Sequence, residues 1–228
     1  GPARASRALV VNGAILAVHW ASFFAAIKAS GIAVGLLGYA SFPLFVVLLE
    51  RLLLGRRLDA RSVATVALVT AGLALVAVAG GATPGLSAGL AWGMLSGATF
   101  AWLAVRNRAH VRALPATTLA LWQNAFAAMW LLPAVGLSGH WRWPTLDELA
   151  LVLVLGVACT ALAHSLFIAS MRVLSAHTAS VIAALEPVYG IALGAWLLHQ
   201  VPGAWTAAGG VLIVAAAVVA SRRPEGVI

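Results

Sequence analysis

The sequence is poor in charge, and poorest in acid. Six of its 228 residues are Asp or Glu, and charged residues of both signs make up 9% of the chain. A soluble domain carries about 25% charged residues and is about 45–50% apolar. Here 63% is hydrophobic and the mean hydropathy is +1.02. So few polar side chains cannot clothe a water-facing surface. That excludes a soluble globular fold and predicts an all-α polytopic membrane protein. Cysteine is nearly absent. The single copy, Cys159, lies in an apolar run, so there is no intrachain disulfide and no Cys-based metal site. A His-Glu-x-x-His zinc pair is also missing, as are opposed acids within the apolar runs, and no catalytic residue, metal or cofactor is assigned. The net charge of +8 would suggest a nucleic-acid partner in a soluble protein. In a membrane protein it is the mark of basic loops, and no nucleic acid is implied.

What the chain does have is long apolar runs. Eight spans are predicted, at residues 8–29, 32–54, 63–79, 86–105, 117–137, 149–170, 178–198 and 204–220, with short links between them. The link over 138–148, with Trp141, Trp143 and Pro144, has the composition of a membrane interface. Arg4, Arg7, Arg51, Arg56, Arg57, Arg61, Arg106, Arg108, Arg112, Arg172, Arg222 and Arg223 fall on one side of this topology. Lys28 and Arg142 fall on the other. The excess of positive charge inside predicts that both termini are cytoplasmic, in a bacterial inner membrane. Small residues recur every fourth position at Gly85, Gly89, Gly93 and Gly97, and at Gly13, Ala17, Ala21, Ala25 and Ala29. Such stripes let helix backbones approach closely in lipid.

The run over 176–198 is long enough to cross a bilayer but carries Glu186 and Pro187 near its middle. A charge at that depth costs about 2.5–3.5 kcal/mol on insertion scales, so it calls for a partner, a proton or a water-filled cavity. Pro187 lacks an N–H and crowds the carbonyl of Ala183, which predicts a kink there. This run has a counterpart 144 residues earlier. Pro43 maps onto Pro187, Phe45 onto Tyr189, Leu53-Leu54 onto Leu197-Leu198, Phe23 onto Phe167, and Lys28 onto Arg172. A fixed offset of this kind marks an internal repeat, common among transporters. Residues 85–228 hold five spans, and residues 1–84 hold three that match the last three of the five. The pattern predicts a parent of ten spans in two inverted halves, two of which would precede residue 1. Whether those two are truncated or naturally absent stays open here.

Several stretches resemble the EamA-type transporters of the drug/metabolite transporter (DMT) superfamily. HWASFFAAIKAS (19–30) and FPLFVVLLERLLLGRRL (42–58) are similar to that family's first half. LAWGMLSGATFAWLAV (90–105) is similar to the opening helix of its second half, and ALEPVYGIALGAWLLHQ (184–200) with GAWTAAGGVLIVAAAVVA (203–220) to its close. The resemblance implies ten helices in a five-plus-five inverted repeat. It also implies a central cavity near the midplane and alternating access, usually in exporters of amino acids, other metabolites or drugs. The chain departs from the pattern where the family often has Leu-Gly-Glu. Here the two places read Leu54-Gly55-Arg56 and Leu198-His199-Gln200.

Polar and aromatic residues inside the spans are the candidate cavity residues: His19, Trp20, Trp92, Ser96, Thr99, Trp102, Gln123, His164, Glu186 and Tyr189. Asn124, Thr160 and Ser165 lie in the same runs. Trp20 and His164 share one repeat position. Trp and Tyr with a few polar groups suit an amphipathic small solute. Pro43 and Pro187 are the predicted hinges. Were transport coupled to protons, Glu186 and His164 would carry them, because His titrates near neutral pH. The partners implied are a small solute and the bilayer, and the oligomeric state is left open. A non-transporting fragment or assembly partner is the alternative, with an intramembrane enzyme more remote.

Overall fold

The computed structural model describes residues 2–55, 59–79, 85–139, 142–183 and 185–221, which are helical, with no strand among them. Arg56, Arg57, Arg222, Arg223, Trp141 and the link over 80–84 lie outside the described residues. The helices in chain order are α1 (Pro2–Tyr39), α2 (Phe42–Leu54), α3 (Ala60–Ala79), α4 (Leu86–His110), α5 (Ala116–Leu137) and α6 (Leu146–Val154). A π-helical segment (Leu155–Leu162) follows. Then come α7 (Ala163–Ser170), α8 (Ala176–Ala183), α9 (Glu186–Leu198) and α10 (Ala204–Ser221).

Four stretches are long and apolar enough to cross a bilayer unaided among the described residues: Arg7–Tyr39, Leu86–His110, Ala116–Leu137 and Leu146–Ser170. The first contains a reversal. Gly31 adopts φ 80° and ψ 173°, outside the helical region. A Cβ on Gly35 would lie 2.9 Å from the backbone nitrogen of Ile27. Eight residues of straight helix would separate those positions by about 12 Å. The chain therefore doubles back at Gly31, where positive φ suits glycine. This divides α1 into a first arm and a second arm that begins at Ile32.

The predicted kinks are full breaks. The second arm of α1 ends at Tyr39 and α2 begins at Phe42, while α8 ends at Ala183 and α9 begins at Glu186. These ends are 144 residues apart, as are Leu54 and Leu198. Each new helix carries its proline in the first turn. There the missing N–H needs no partner and the fixed φ already suits a helix. Short-range bonds cover the gaps: Ser41 N–H donates to the Gly38 carbonyl at 3.2 Å, and Leu185 N–H to the Ile182 carbonyl at 3.2 Å.

The chain divides into two compact units. One comprises Gly1–Ala17 and Arg106–Val173, the other Val18–Val105 and Leu174–Ile228. The larger unit has its core among the second arm of α1, α3, α4 and α10, with Leu37, Val69, Val76, Leu90 and Ile213 buried together. Glycines set its close approaches. A Cβ on Gly93 would lie 2.8 Å from Gly38 Cα, and one on Gly72 2.7 Å from the Gly209 carbonyl. Gly97 faces the first break, where a Cβ would lie 2.8 Å from the Tyr39 carbonyl. The glycine stripe of α4 is thus a packing surface. The two broken helices also pack crosswise here: Gly190 and Gly194 of α9 lie against Leu36 and Ile32, and α2 packs on α8.

The smaller unit is built on α5, which packs against α7 and the π-helical segment. Its α6 opens on a capping box. The Thr145 hydroxyl accepts the Glu148 N–H at 3.3 Å, and the Glu148 carboxylate accepts the Thr145 N–H at 2.9 Å. Arg142 forks onto the same carboxylate, with Nη1 donating to Oε2 at 2.7 Å.

Candidate functional site

In the larger unit, the predicted residues His19 and Ser96 come together. His19 Nδ1 lies 2.9 Å from Ser96 Oγ and 3.1 Å from the Ser96 carbonyl. A carbonyl can only accept, so Nδ1 carries the proton in that contact. Aromatic rings enclose the imidazole. Its centroid lies 4.8 Å from Phe100, 5.1 Å from Trp20, 5.7 Å from Tyr39 and 6.0 Å from Phe23. The arrangement reaches the first break, because Tyr39 stacks on Phe42 at 5.8 Å across it. Thr99 bonds the Leu95 and Ser96 carbonyls of its own helix. Trp102 buries an indole N–H that meets no acceptor among the described residues. Trp92 is exposed.

At the second break the picture is open. Glu186 is exposed at the start of α9, and Tyr189 is exposed one turn on. The Glu186 carboxylate makes no hydrogen bond or ion pair among the described residues. It acts electrostatically on the buried Tyr39 hydroxyl at the end of the other broken helix. Its place at a helix N-terminus favours negative charge.

In the smaller unit, Gln123 and His164 come together through a residue the sequence did not single out, Asn107. Gln123 Nε2 donates to Asn107 Oδ1 at 2.5 Å, and Asn107 Nδ2 donates back to Gln123 Oε1 at 3.2 Å. His164 Nε2 donates to the same Gln123 oxygen at 3.2 Å. All three are buried. The network is neutral and internally satisfied, which holds α4, α5 and α7 in register. His164 lies in this unit and Glu186 in the other. Asn107 escapes a sequence search because it stands between Arg106 and Arg108, where a cytoplasmic loop is expected. Buried Glu50, beside Arg51, escapes for the same reason.

Beside α5 lies a groove of about 320 Å³, lined by Thr117, Ala120, Leu121, Asn124, Ala125, Gly156, Thr160, Ala161 and Ser165. The π-helical segment forms one wall. Widened turns of this kind recur at functional sites. Among the described residues, no group of three or more His, Cys, Asp or Glu could hold a metal ion. The chain does contain a Gly-x-Ser-x-Gly spelling, Gly85 to Gly89. It opens α4 with no preceding strand among the described residues, and its glycines lie against Ala29 and Ser30. That is not the strand-turn-helix setting a nucleophilic serine needs.

The model of the EamA-like transporter family matches residues 87–222. An uncharacterized transporter of Bacillus subtilis (strain 168), YxxF, is 24% identical over 217 residues, covering 94% of this chain and 69% of that protein. A solved crystal structure of a protein aligns with TM-score 0.68 and 27% identity, covering 94% of this chain and 76% of that one. The family match takes in the amide network, the groove and the second broken helix. A chain of apolar helices matched over that length is a multi-pass membrane transporter, and it belongs to the EamA-like transporter family.

Proposed function

We propose that this transporter exports small organic solutes, amino acids or related metabolites, by alternating access around a cavity near the membrane midplane. The observation that carries the proposal is the pair of broken helices crossing in one unit, with ends 144 residues apart. Discontinuous helices related by an internal repeat are the usual frame of a secondary transporter's binding site. In this proposal residues 1–84 carry the last three helices of one five-helix repeat and residues 85–228 all five of the other, inverted. The eight spans lie in a bacterial inner membrane with both termini cytoplasmic, as the Arg distribution favours. Chemistry on the solute plays no part.

The cavity residues of the proposal are His19, Trp20, Trp92, Ser96, Thr99, Trp102, Gln123, His164, Glu186 and Tyr189. Pro43 and Pro187 mark the hinges. Glu186 is the residue that faces the solute with an unspent charge. It makes no hydrogen bond or ion pair among the described residues, so neutralising it removes no internal contact.

Counterflow of labelled amino acids into proteoliposomes tests the assignment. Wild-type protein is expected to exchange at least one labelled amino acid, and Glu186→Gln to lower that exchange about tenfold, the loss of one charge-assisted contact. Its thermal melting is expected to match the wild type. Full exchange by Glu186→Gln would remove Glu186 from the site. Failure of the wild type to exchange any member of a broad solute panel would count against the carrier itself. An imposed pH gradient separates the roles: only if Glu186 and His164 couple protons does it drive accumulation that both variants lose.

A further inference from the structure

The groove beside α5 holds polar groups that the protein itself leaves unused. Span hydroxyls in this chain commonly bond their own helix, as Ser22, Ser30, Thr99 and Ser170 do. Thr117, Thr160 and Ser165 make no hydrogen bond among the described residues, and all three line the groove. Asn124 donates one N–H to the Ala120 carbonyl at 2.9 Å, which leaves its second N–H and its side-chain oxygen open. Four neutral hydrogen-bonding groups therefore converge between walls that are otherwise apolar. Leaving such groups unpaired in an apolar medium is costly.

We propose that this groove binds an uncharged amphipathic solute bearing amide or hydroxyl groups. The proposal stands apart from the export assignment, since it needs binding and not turnover. Its volume of about 320 Å³ is that of a small-molecule site. Charge settles the class of ligand. No ionisable side chain lines the groove. An ammonium or carboxylate entering it would lose hydration and gain no counter-charge, whereas an amide or alcohol exchanges water bonds for equivalent ones. The π-helical segment explains the shape. Its bonds run from residue i to i+5, so positions four and five apart share a face. Gly156, Thr160 and Ala161 are so placed, and a Cβ on Gly156 would meet nothing within 4 Å.

The test is equilibrium dialysis of the full chain in detergent against two labelled probes with the same phenyl group. N-acetylphenylalaninamide is uncharged, and phenylalanine is a zwitterion. The amide is expected to bind saturably, and phenylalanine at least about tenfold more weakly. Thr160→Val, which keeps shape and removes the hydroxyl, is expected to weaken amide binding about fivefold to tenfold, as is Asn124→Leu. Thr160→Ser is expected to restore it. Gly156→Leu, which fills open space, is expected to abolish it while leaving thermal melting unchanged. Equal binding of both probes, or wild-type binding by Thr160→Val and Gly156→Leu together, would overturn the proposal. A chain that binds the amide but exchanges nothing would sink the export assignment and leave the groove. Amino-acid exchange without amide binding would do the reverse.

Discussion

The two broken helices share one backbone and differ in what they do with it. Both stop and restart at positions 144 residues apart, and both carry proline in the restarted first turn. Both end alike, with a left-handed residue whose N–H returns to a carbonyl five residues back. Gly55 bonds Glu50, and His199 bonds Gly194. The side chains at the breaks are opposites. The first break is closed: Phe42 is 0% exposed, Tyr39 stacks on it, and the Ser41 hydroxyl donates to the Gly38 carbonyl at 2.7 Å. The second is open: Glu186 stands where Phe42 does, and both it and Tyr189 are exposed. A repeat supplies two copies of a weak point in the membrane. Here one copy is packed into the core and the other presents a carboxylate.

The comparison breaks most violently at Phe42. Phe42→Ala removes a fully buried ring whose neighbours are Tyr39 and Phe100. Large-to-small core changes of this kind cost about 3–5 kcal/mol. Denaturant titration in detergent micelles should show a loss of that size. Glu186→Ala, at the matching position, should shift the same curve little. Equal losses would mean that both breaks are structural.

Next in size is Gly93→Ala. The added methyl would lie 2.8 Å from Gly38 Cα, and backbone cannot yield as a flexible side chain would. Overpacking of this kind costs about 1–3 kcal/mol. The same change at Gly136, where a Cβ meets nothing within 4 Å, should be nearly silent or slightly stabilising in a helix. Thermal melting of the two variants side by side checks whether close helix approach, and not helix propensity, is what these glycines serve.

Much of this architecture was legible in the residues. Scarcity of charge predicted the helical membrane class, and the glycine stripe predicted close packing on α4. The 144-residue offset located matching helix ends because proline acts locally on its own turn. What escaped depends on tertiary neighbours. Breaks instead of kinks follow partly from packing, since Ser41 turns beside Gly97 of another helix. Asn107 reads as loop until Gln123, on the next helix, is seen to pair with it. Thr117 looks like an ordinary first-turn residue, and the π-helical run LGVACTAL has no spelling that sets it apart from an α-helix. Polar residues in the spans were found by type. Which ones spend their hydrogen bonds at home, as Thr99 does, and which do not, as Thr160, could not be read from type alone.

The smallest expected effect sharpens the comparison at the helix ends. Gly55 and His199 occupy one repeat position and adopt φ of 64° and 55°. Glycine takes that conformation freely, whereas a residue with a Cβ pays about 1–2 kcal/mol for it, somewhat less where a short polar side chain helps. A Cβ on Gly55 meets nothing within 4 Å, so Gly55→Ala isolates backbone strain and should cost about 1 kcal/mol. His199→Gly removes the same strain but frees the unfolded chain, so its gain should be smaller, about 0.5 kcal/mol. Opposite signs in paired thermal melts would show that the two caps obey one backbone rule. A loss on His199→Gly would mean that the imidazole holds the end of α9 by contacts of its own, and that the likeness of the two broken helices stops at their caps.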